Sequence, residues 1–281
     1  MIDLACSDLG FLDFGAAPVR RAAECEPTYR HCLEKGYFAG MEYLSRNLEK
    51  RFDPSLLVEG AQSVLCFLAP YGQPAGGVAG FACGTDYHKV VKDRLYVVID
   101  RLKYARPDFS GRPFVDSAPV LERYWAVRAG LGFIGRNRFL ISPRWGLRTI
   151  IGVIICNLPA SEFPAHEPPG PSDCGDCGRC AAACPGGALD DPRGLDARRC
   201  VSYHTVEAGK GEPLPEVDCR GWIFGCEECL KVCPWNREVP SWPEFEVNRH
   251  LIENVDWTTM SVEKLRTLFP GSGLLRARRF Q

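Results

Sequence analysis

The chain has 281 residues, enough for one large domain or two moderate ones, and its formal net charge is -1. A balance this near neutrality neither predicts nor excludes a nucleic-acid partner, so any site for an anion must be local. The longest strongly apolar run, residues 150–156, is too short to cross a bilayer, and no signal peptide is visible. We therefore expect a soluble, cytoplasmic monomer without a membrane partner.

The amino-terminal part is predicted to be mainly helical. Residues 16–36 carry helix formers up to a glycine, and residues 39–51 form a second predicted helix that Asp53-Pro54 ends. Residues 63–68 are short, apolar and rich in β-branched and aromatic side chains, which favours a buried strand. The Gly- and Pro-rich residues 71–84 are too many for an ordinary connection and suggest a binding loop.

The next segment has a clear helical period that begins at residue 86 and ends before Pro107, with one apolar face formed by Val90, Val91, Leu95, Val98, Ile99 and Leu102. Residues 112–116 are a short predicted strand, and Ser117 is predicted to cap a helix from about residue 119 to residue 129. Residues 139–141 and 149–156 are further predicted strands. Residues 1–160 are therefore predicted to form an α/β (α+β) domain.

Fifteen cysteines are many for this length, and in a reducing compartment clustered cysteines indicate metal or redox chemistry. The run Cys174-Gly-Asp-Cys177-Gly-Arg-Cys180-Ala-Ala-Ala-Cys184-Pro185 has the spacing of bacterial two-cluster 4Fe–4S proteins, in which the fourth cysteine binds the other cluster. A second run holds Cys226, Cys229 and Cys233. Residues 161–245 are thus predicted to be a ferredoxin-like domain with two 4Fe–4S clusters.

If the last cysteine of each run binds the cluster of the other run, one cluster is held by Cys174, Cys177, Cys180 and Cys233. The other receives Cys184, Cys226 and Cys229 and lacks one ligand, because position 223 is Ile where the pattern calls for Cys. Cys200 and Cys219 are the spare thiols that could complete it. The alternative is a pair of zinc sites, but zinc requires neither the three-cysteine loop nor the Cys-Pro ending.

Residues 246–281 are predicted to be a helical tail with a helix over residues 261–269, and we expect no helical-repeat extension. The tail ends in basic residues, of which Arg276, Arg278 and Arg279 could contact phosphates. A second basic group is formed by Arg136, Arg138, Arg144 and Arg148. Either group is more often a solvated face than a binding site.

The glycines of Gly130-Leu-Gly132-Phe-Ile-Gly135 match a dinucleotide-binding pattern. That pattern needs a strand before it and a helix after it, whereas here a predicted helix precedes and a predicted strand follows. We therefore reject a nicotinamide cofactor. Asp116, between a predicted strand and a predicted helix, could cap the helix or act as a general acid, and spacing alone favours the cap.

With these residues in view, the chain resembles the epoxyqueuosine reductase family, which completes the queuosine base at the wobble position of certain tRNAs. The resemblance covers nearly the whole chain from about residue 40. It rests on Glu49-Lys-Arg51, Asp86-Tyr-His88, Val115-Asp-Ser-Ala-Pro-Val-Leu-Glu-Arg123, Ala129-Gly-Leu-Gly-Phe-Ile-Gly-Arg-Asn137, Leu195-Asp-Ala-Arg-Arg-Cys200-Val-Ser-Tyr203, Ile223-Phe-Gly-Cys226, Pro234-Trp-Asn236 and Gly271-Ser-Gly-Leu-Leu-Arg276.

The resemblance implies a base-off cobalamin beside two 4Fe–4S clusters and reduction of the epoxide to a cyclopentene. It implies Cys200 as the missing cluster ligand and Asp116 as proton donor and cobalamin neighbour. Further implied cobalamin contacts are Arg51, Leu140, Ile151, Ser202 and Glu227. The chain departs from the family at residues 79–82, where relatives carry an Arg-Tyr-Ala-like run, and at Val153, where they carry Glu.

The expected partners are a tRNA anticodon loop and an external low-potential electron donor. Two alternatives use the same cysteines. A plain two-cluster electron carrier would lack the corrin, and a reductive-dehalogenase-like enzyme would act on small organohalides.

Overall fold

The structure is a computed structural model that describes residue 2 and residues 4–166, 174–209 and 218–276. Its strands are β1 (Asp13–Pro18), β2 (Ser63–Pro70), β3 (Gly111–Phe114), β4 (Phe133–Ile134), β5 (Leu140–Ile141) and β6 (Thr149–Cys156). Its α-helices are α1 (Glu26–Glu34), α2 (Leu48–Phe52), α3 (Tyr87–Ala105), α4 (Glu122–Arg128), α5 (Arg179–Ala183), α6 (Glu228–Lys231), α7 (Arg249–Asn254) and α8 (Val262–Leu268).

A four-stranded sheet of order β1-β2-β6-β3 organises the first domain. Every adjacent pair in it is antiparallel, with β2 and β6 paired along their whole length from Ser63↔Cys156 to Pro70↔Thr149. All eight residues of β2 are buried, as expected for a central strand covered on both faces. The predicted class is confirmed in its α+β form. β4 and β5 make a separate small hairpin.

The two faces of the sheet are covered by different helices because successive side chains of a strand point to opposite sides. Leu65 and Phe67 pack in the cluster that contains the apolar face of α3, whose predicted members are buried. Val64, Cys66 and Leu68 pack instead with Trp125 of α4. The helix predicted from residue 86 is confirmed, and the Asp86 side chain accepts a hydrogen bond from the amide of His88.

The predicted helix over residues 16–36 is wrong at its start, because Asp13–Pro18 is a strand and the helix spans only Glu26–Glu34. Ala16 and Ala17 pair with Leu65 and Val64, and this pairing outweighs the helix propensity of alanine. The predicted helix over residues 39–51 is also wrong. Ala39 (φ 48°) and Asn47 (φ 55°) adopt left-handed backbone, which leaves a short turn and α2.

The helix predicted from about residue 119 begins later, at Glu122, and Leu121 occupies its N-cap position without a side-chain hydrogen bond. Neither Ser117 nor Asp116 caps it, so both capping interpretations are wrong. Asp116 has left-handed backbone (φ 45°), which turns the chain away from helical geometry before α4 can begin. The rejected glycine motif has the predicted context, since α4 precedes it and β5 follows it.

The loop of residues 71–84 joins the first domain to the cysteine-rich part. The amide of Ala79 donates to the carbonyl of Phe224 (2.9 Å), and the amide of Ile223 donates to the carbonyl of Gly77 (2.7 Å). Buried residues of this loop share a core with the tail, formed by Ala75, Val78, Ala82, Cys83, Phe224, Ile252, Leu265, Phe269 and Leu274. The loop therefore connects the first domain to the cysteine-rich part and the tail, and we call this contact region the joint.

The tail contains the predicted helix as α8, capped by the Ser261 side chain, which accepts from the amide of Lys264. α7 precedes it and was not predicted. Along the described ranges, no helix combines the length and the apolar character needed to cross a membrane.

Candidate cofactor and active site

A cavity of about 320 Å³ opens beside the first cysteine run. We call it the thiol cavity. Four of its lining residues are the cysteines predicted for one cluster, namely Cys174, Cys177, Cys180 and Cys233. Ile141 of β5 and Trp235 close the apolar side of the cavity. The structure thus gathers, from two segments some fifty residues apart, the four thiols that the spacing assigned to one centre.

The second predicted set also converges. Cys200, Cys226 and Cys229 each interact electrostatically with Cys184, and Cys229 with both of the others. Burial, reinforced by these neighbouring thiols, raises the pKa of Cys226 to about 12 and that of Cys229 further still. Burial likewise raises the pKa of Cys200. Bound cationic iron stabilises such crowded thiols as thiolates, so the donor set fits a metal cluster.

Cys200 interacts with Cys184 of the second set, and Cys219 packs in a small apolar cluster with Val201, Trp222 and Cys226. The amide of Ala188 donates to the Cys184 sulfur (3.3 Å), a type of bond that stabilises a cluster thiolate. Among the described residues, no group of three or more His, Cys, Asp or Glu side chains is arranged to hold a single metal ion. The assignment of each thiol to a cluster remains a prediction.

Arg148 and Glu227 form a buried ion pair at the joint between the two parts of the chain, with side chains 1% and 2% exposed. Arg148 Nη1 donates to Glu227 Oε2 (2.6 Å), and the amide of Gly80 donates to Glu227 Oε1 (2.7 Å). Arg148 Nε also donates to Asn236 Oδ1 (3.1 Å). The interpretation of Arg148 as part of a solvated face is wrong, because the loop of residues 71–84 covers it.

Asp116 lies at an exposed turn after β3. The hydroxyl of Tyr87, the first residue of α3, donates to Asp116 Oδ2 at 2.5 Å. Burial and the Asp116 charge raise the pKa of Tyr87 well above its ordinary range, so the phenol stays a donor. A left-handed aspartate is uncommon, and a short bond to a fixed phenol helps to hold it in one orientation.

The same corner is closed by the tail. The amide of Asp86 donates to the carbonyl of Gly271 (2.8 Å), and Arg276 Nε donates to Asp86 Oδ2 (2.5 Å). Burial opposes ionisation of Asp86, but hydrogen bonds from His88 and Arg276 outweigh it and lower the pKa of Asp86 to about 2. Arg276 is thus engaged with Asp86, while Arg278 and Arg279 lie outside the described residues.

Glu122, which the sequence analysis did not select, is the second carboxyl near Asp116. Its Oε1 is buried and has no hydrogen-bond partner among the described residues. Burial and the Asp116 charge raise the pKa of Glu122 to about 8. Both Glu122 and Tyr87 stand inside motifs that were quoted for the resemblance. Tyr87 is 29 residues from Asp116, and the pKa of Glu122 depends on its burial, so spacing alone could not identify either residue.

Arg51 lies near Glu122 and opposes this rise in pKa. Arg51 is buried, its Nη2 donates to the carbonyl of Tyr43 (3.1 Å), and its Nε has no hydrogen-bond partner within the described ranges. Leu140 and Ile151, two more implied cobalamin contacts, pack in or against the core beside α4. An unpartnered donor and an unpartnered carboxyl oxygen beside an apolar wall fit a large amide-bearing macrocycle such as a corrin.

The remaining implied contacts lie elsewhere in the chain. Ser202 is half-buried and immediately precedes the turn Tyr203–Glu207 that follows Cys200. Both carboxylate oxygens of Glu227 are engaged within the protein. The structure therefore brings Arg51 and Asp116 near the same carboxyl, Glu122, and it places Glu227 in the joint.

Two family models match the chain. Residues 51–117 match the model described as epoxyqueuosine reductase QueG, DUF1730. Residues 173–236 match a 4Fe-4S double cluster binding domain, which supports iron–sulfur clusters over the zinc alternative.

Curated relatives extend this similarity over most of the chain. An epoxyqueuosine reductase of Cyclobacterium marinum is 36% identical over 99% of this chain and 92% of its own length. One of Pseudomonas aeruginosa is 34% identical over 96% of this chain and 78% of its own.

Solved structures agree with the sequence matches. An epoxyqueuosine reductase with an epoxyqueuosine-modified tRNA-Tyr stem loop has a TM-score of 0.85 at 27% identity, covering 98% of this chain and 76% of that one. The Bacillus subtilis epoxyqueuosine reductase, with its catalytic aspartate loop swung out, has a TM-score of 0.83 at 26% identity over 98% and 76%. The predicted fold class and reductase activity are confirmed by these matches, and the chain belongs to the epoxyqueuosine reductase family.

Proposed function

We propose that this protein reduces epoxyqueuosine to queuosine at the wobble position of tRNA. The reaction removes the epoxide oxygen as water and leaves an alkene, so it consumes two electrons and two protons. The observation that carries the proposal is the Asp116 corner, where an exposed carboxyl held by Tyr87 stands near a second carboxyl, and near a buried arginine whose Nε has no hydrogen-bond partner among the described residues. Family membership supports the same substrate.

The proton donor to the opening ring is Asp116. Its exposed position at the turn after β3 allows a base splayed out of an anticodon loop to reach it, as single-stranded RNA recognition commonly requires. The Tyr87 phenol leaves one carboxylate oxygen of Asp116 free to face the substrate. An oriented donor of this kind contributes about 10²–10⁴-fold to a rate.

Glu122 supplies the second proton. Its raised pKa of about 8 keeps it protonated at neutral pH, and its electrostatic interaction with Asp116 strengthens as Asp116 loses its proton. Two nearby carboxyl groups with different environments can thus hold the two protons that the balanced reaction needs. The positive charge of Arg51 limits how far that pKa rises.

The proposed cofactors are two 4Fe–4S clusters and cobalamin. Cys174, Cys177, Cys180 and Cys233 would hold one cluster, and Cys184, Cys200, Cys226 and Cys229 the other. Arg51, Asp116, Leu140, Ile151 and Ser202 would border the cobalamin, and Glu227 would fix the wall behind it through Arg148. Bound, these groups supply single electrons at low potential and a strongly reducing, nucleophilic metal centre.

In this proposal the chain acts as a cytoplasmic monomer. It consists of three parts, residues 1–160, 161–245 and 246–281. The first part holds the proton donors, the second the clusters, and the third closes the Asp116 corner through Gly271 and Arg276. Its partners are the tRNA anticodon loop and an external electron donor.

Replacement of Asp116 by Asn tests the proposal. The amide keeps the shape and accepts the Tyr87 hydrogen bond, but it cannot give a proton. We expect unchanged cluster and cobalamin content and a loss of at least about 10²-fold in conversion of an epoxyqueuosine stem loop, measured by mass spectrometry of the nucleosides. Conversion at the wild-type rate would exclude Asp116 as the donor.

The cluster ligands are tested by two matched thiol replacements. Anaerobic reconstitution of the unmodified chain should give about eight irons, four per cluster. Cys200→Ala should lose about half of the iron, whereas Cys219→Ala should keep all of it. The reverse result would make Cys219 the ligand, and tightly bound zinc without iron would contradict both clusters.

A further inference from the structure

Three arginines stand around the mouth of the thiol cavity, and we call them the arginine rim. Arg136 lies in the turn between β4 and β5, Arg179 begins α5, and Arg237 follows α6. All three are exposed, and all three line the cavity. They come from separate segments, so their convergence is a property of the fold rather than of a local basic run.

The charges of the rim are not neutralised by contact. Over the ranges that the structure describes, no carboxylate lies within 4.0 Å of a guanidinium nitrogen of these three residues. Two exposed acids, Asp176 and Glu238, belong to the same segments and remain outside that distance. In contrast, other exposed arginines pair locally, as Arg46 does with Glu42.

The rim surrounds the thiols proposed to hold a cluster. Tyr87 and Glu122, the residues described above as interacting with Asp116, do not line this cavity. The cavity also leaves Cys174 and Cys177 partly exposed. An RNA substrate has to reach Asp116, whereas an electron donor has to reach a cluster. A positively charged rim at the thiol cavity therefore suits the approach of an electron donor to a cluster.

We propose that the arginine rim is the docking surface for an acidic protein that carries single electrons at low potential. The reaction needs two electrons, so two carrier molecules dock in turn. Each is oxidised by one electron, the centre at the thiol cavity is reduced by one, and no proton crosses this surface. Complementary charge accelerates such brief encounters without requiring a large interface.

The inference rests on the proposed cluster at the thiol cavity and not on epoxide turnover, so it is tested without RNA. The probe is an acidic flavodoxin in its fully reduced form. The triple variant Arg136→Gln, Arg179→Gln, Arg237→Gln is compared with the unmodified chain. Arg266→Gln is the matched control, since Arg266 is exposed on α8, away from the cavity.

Stopped-flow bleaching of the cluster absorption should be slowed about tenfold in the triple variant at low ionic strength, and the difference should vanish at high salt. Reduction by dithionite should not change, and neither should iron content. If the triple variant loses iron, each single variant should still slow the carrier reaction about two- to threefold. Arg266→Gln should match the unmodified chain.

A second measurement follows the affinity of oxidised flavodoxin for the same proteins and does not depend on any turnover. Equal affinity and equal bleaching rates in the triple variant would overturn the proposal. So would a loss of affinity for an anticodon stem loop with an unchanged carrier reaction, because the rim would then be an RNA contact. Failure of the Asp116 test leaves both measurements valid, so the two proposals fail separately.

Discussion

Replacement of Arg148 by Met removes one half of the buried pair that joins the two parts of the chain. The methionine side chain fills much of the same space, but the Glu227 carboxylate keeps only the Gly80 amide as a donor and stays 2% exposed. Breaking a buried pair in this way costs about 3–5 kcal/mol. That is a large part of the roughly 5–15 kcal/mol that stabilises a typical folded protein.

The assay is urea unfolding under anaerobic conditions, followed by tryptophan fluorescence in preparations of equal iron content. With an m-value of about 3 kcal/mol/M, the midpoint should fall by about 1–1.7 M. Glu227→Gln should also destabilise, because it leaves the buried guanidinium without its counter-charge. The double variant should cost clearly less than the two single variants together, since it leaves neither charge buried alone.

The matched control is the exposed pair of Arg46 and Glu42, whose side chains are 66% and 76% exposed. Arg46→Met should cost less than about 1 kcal/mol. The reasoning would be refuted if Arg148→Met cost no more than this control, or if the Arg148 and Glu227 effects were simply additive.

Two further predictions concern the Asp116 corner. Tyr87→Phe removes the donor to Asp116 Oδ2, a charge-assisted hydrogen bond worth about 1.5–3 kcal/mol. Single-turnover conversion should therefore slow by about 10–150-fold at unchanged iron content. An unchanged rate would show that Asp116 is oriented by other contacts. Glu122→Gln should flatten the pH dependence of stability. Burial and Asp116 raise the pKa of Glu122 from 4.5 to about 8, so the folded chain binds the proton more tightly and loses stability as pH rises across this range. Melting temperatures from pH 5 to 9 that run parallel in the two proteins would contradict this.

The features that the sequence predicts well are those fixed by short-range rules. The ligand spacing around Cys174–Cys184 constrains thiols within one tight loop, so it predicts the first set in full and three ligands of the second, whose fourth ligand, Cys200, is implied by the family resemblance. The period of α3 and the buried strand β2 follow in the same way from local hydrophobic pattern. In the structure, the thiols of the first set line one cavity, and those of the second set interact electrostatically with one another.

The features that the sequence does not predict depend on partners far along the chain. Residues 13–18 become a strand because β2 lies beside them, some fifty residues later. The burial of Arg148 depends on a carboxylate 79 residues away, and the phenol that holds Asp116 is 29 residues away. Local composition indicates only the helix propensity or the polarity of these residues, and packing against distant segments decides their structure and burial.

The link between Asp86 and residues 271–276 has a consequence for synthesis of the protein. The carbonyl of Gly271 and the guanidinium of Arg276 complete the corner that contains Asp86, next to Tyr87. A ribosome adds about 5–20 residues per second, so roughly 10–40 s separate the emergence of these two segments. During that interval the nascent chain has its sheet but an open Asp116 corner, so we expect RNA binding at this corner only after residues 271–276 have emerged.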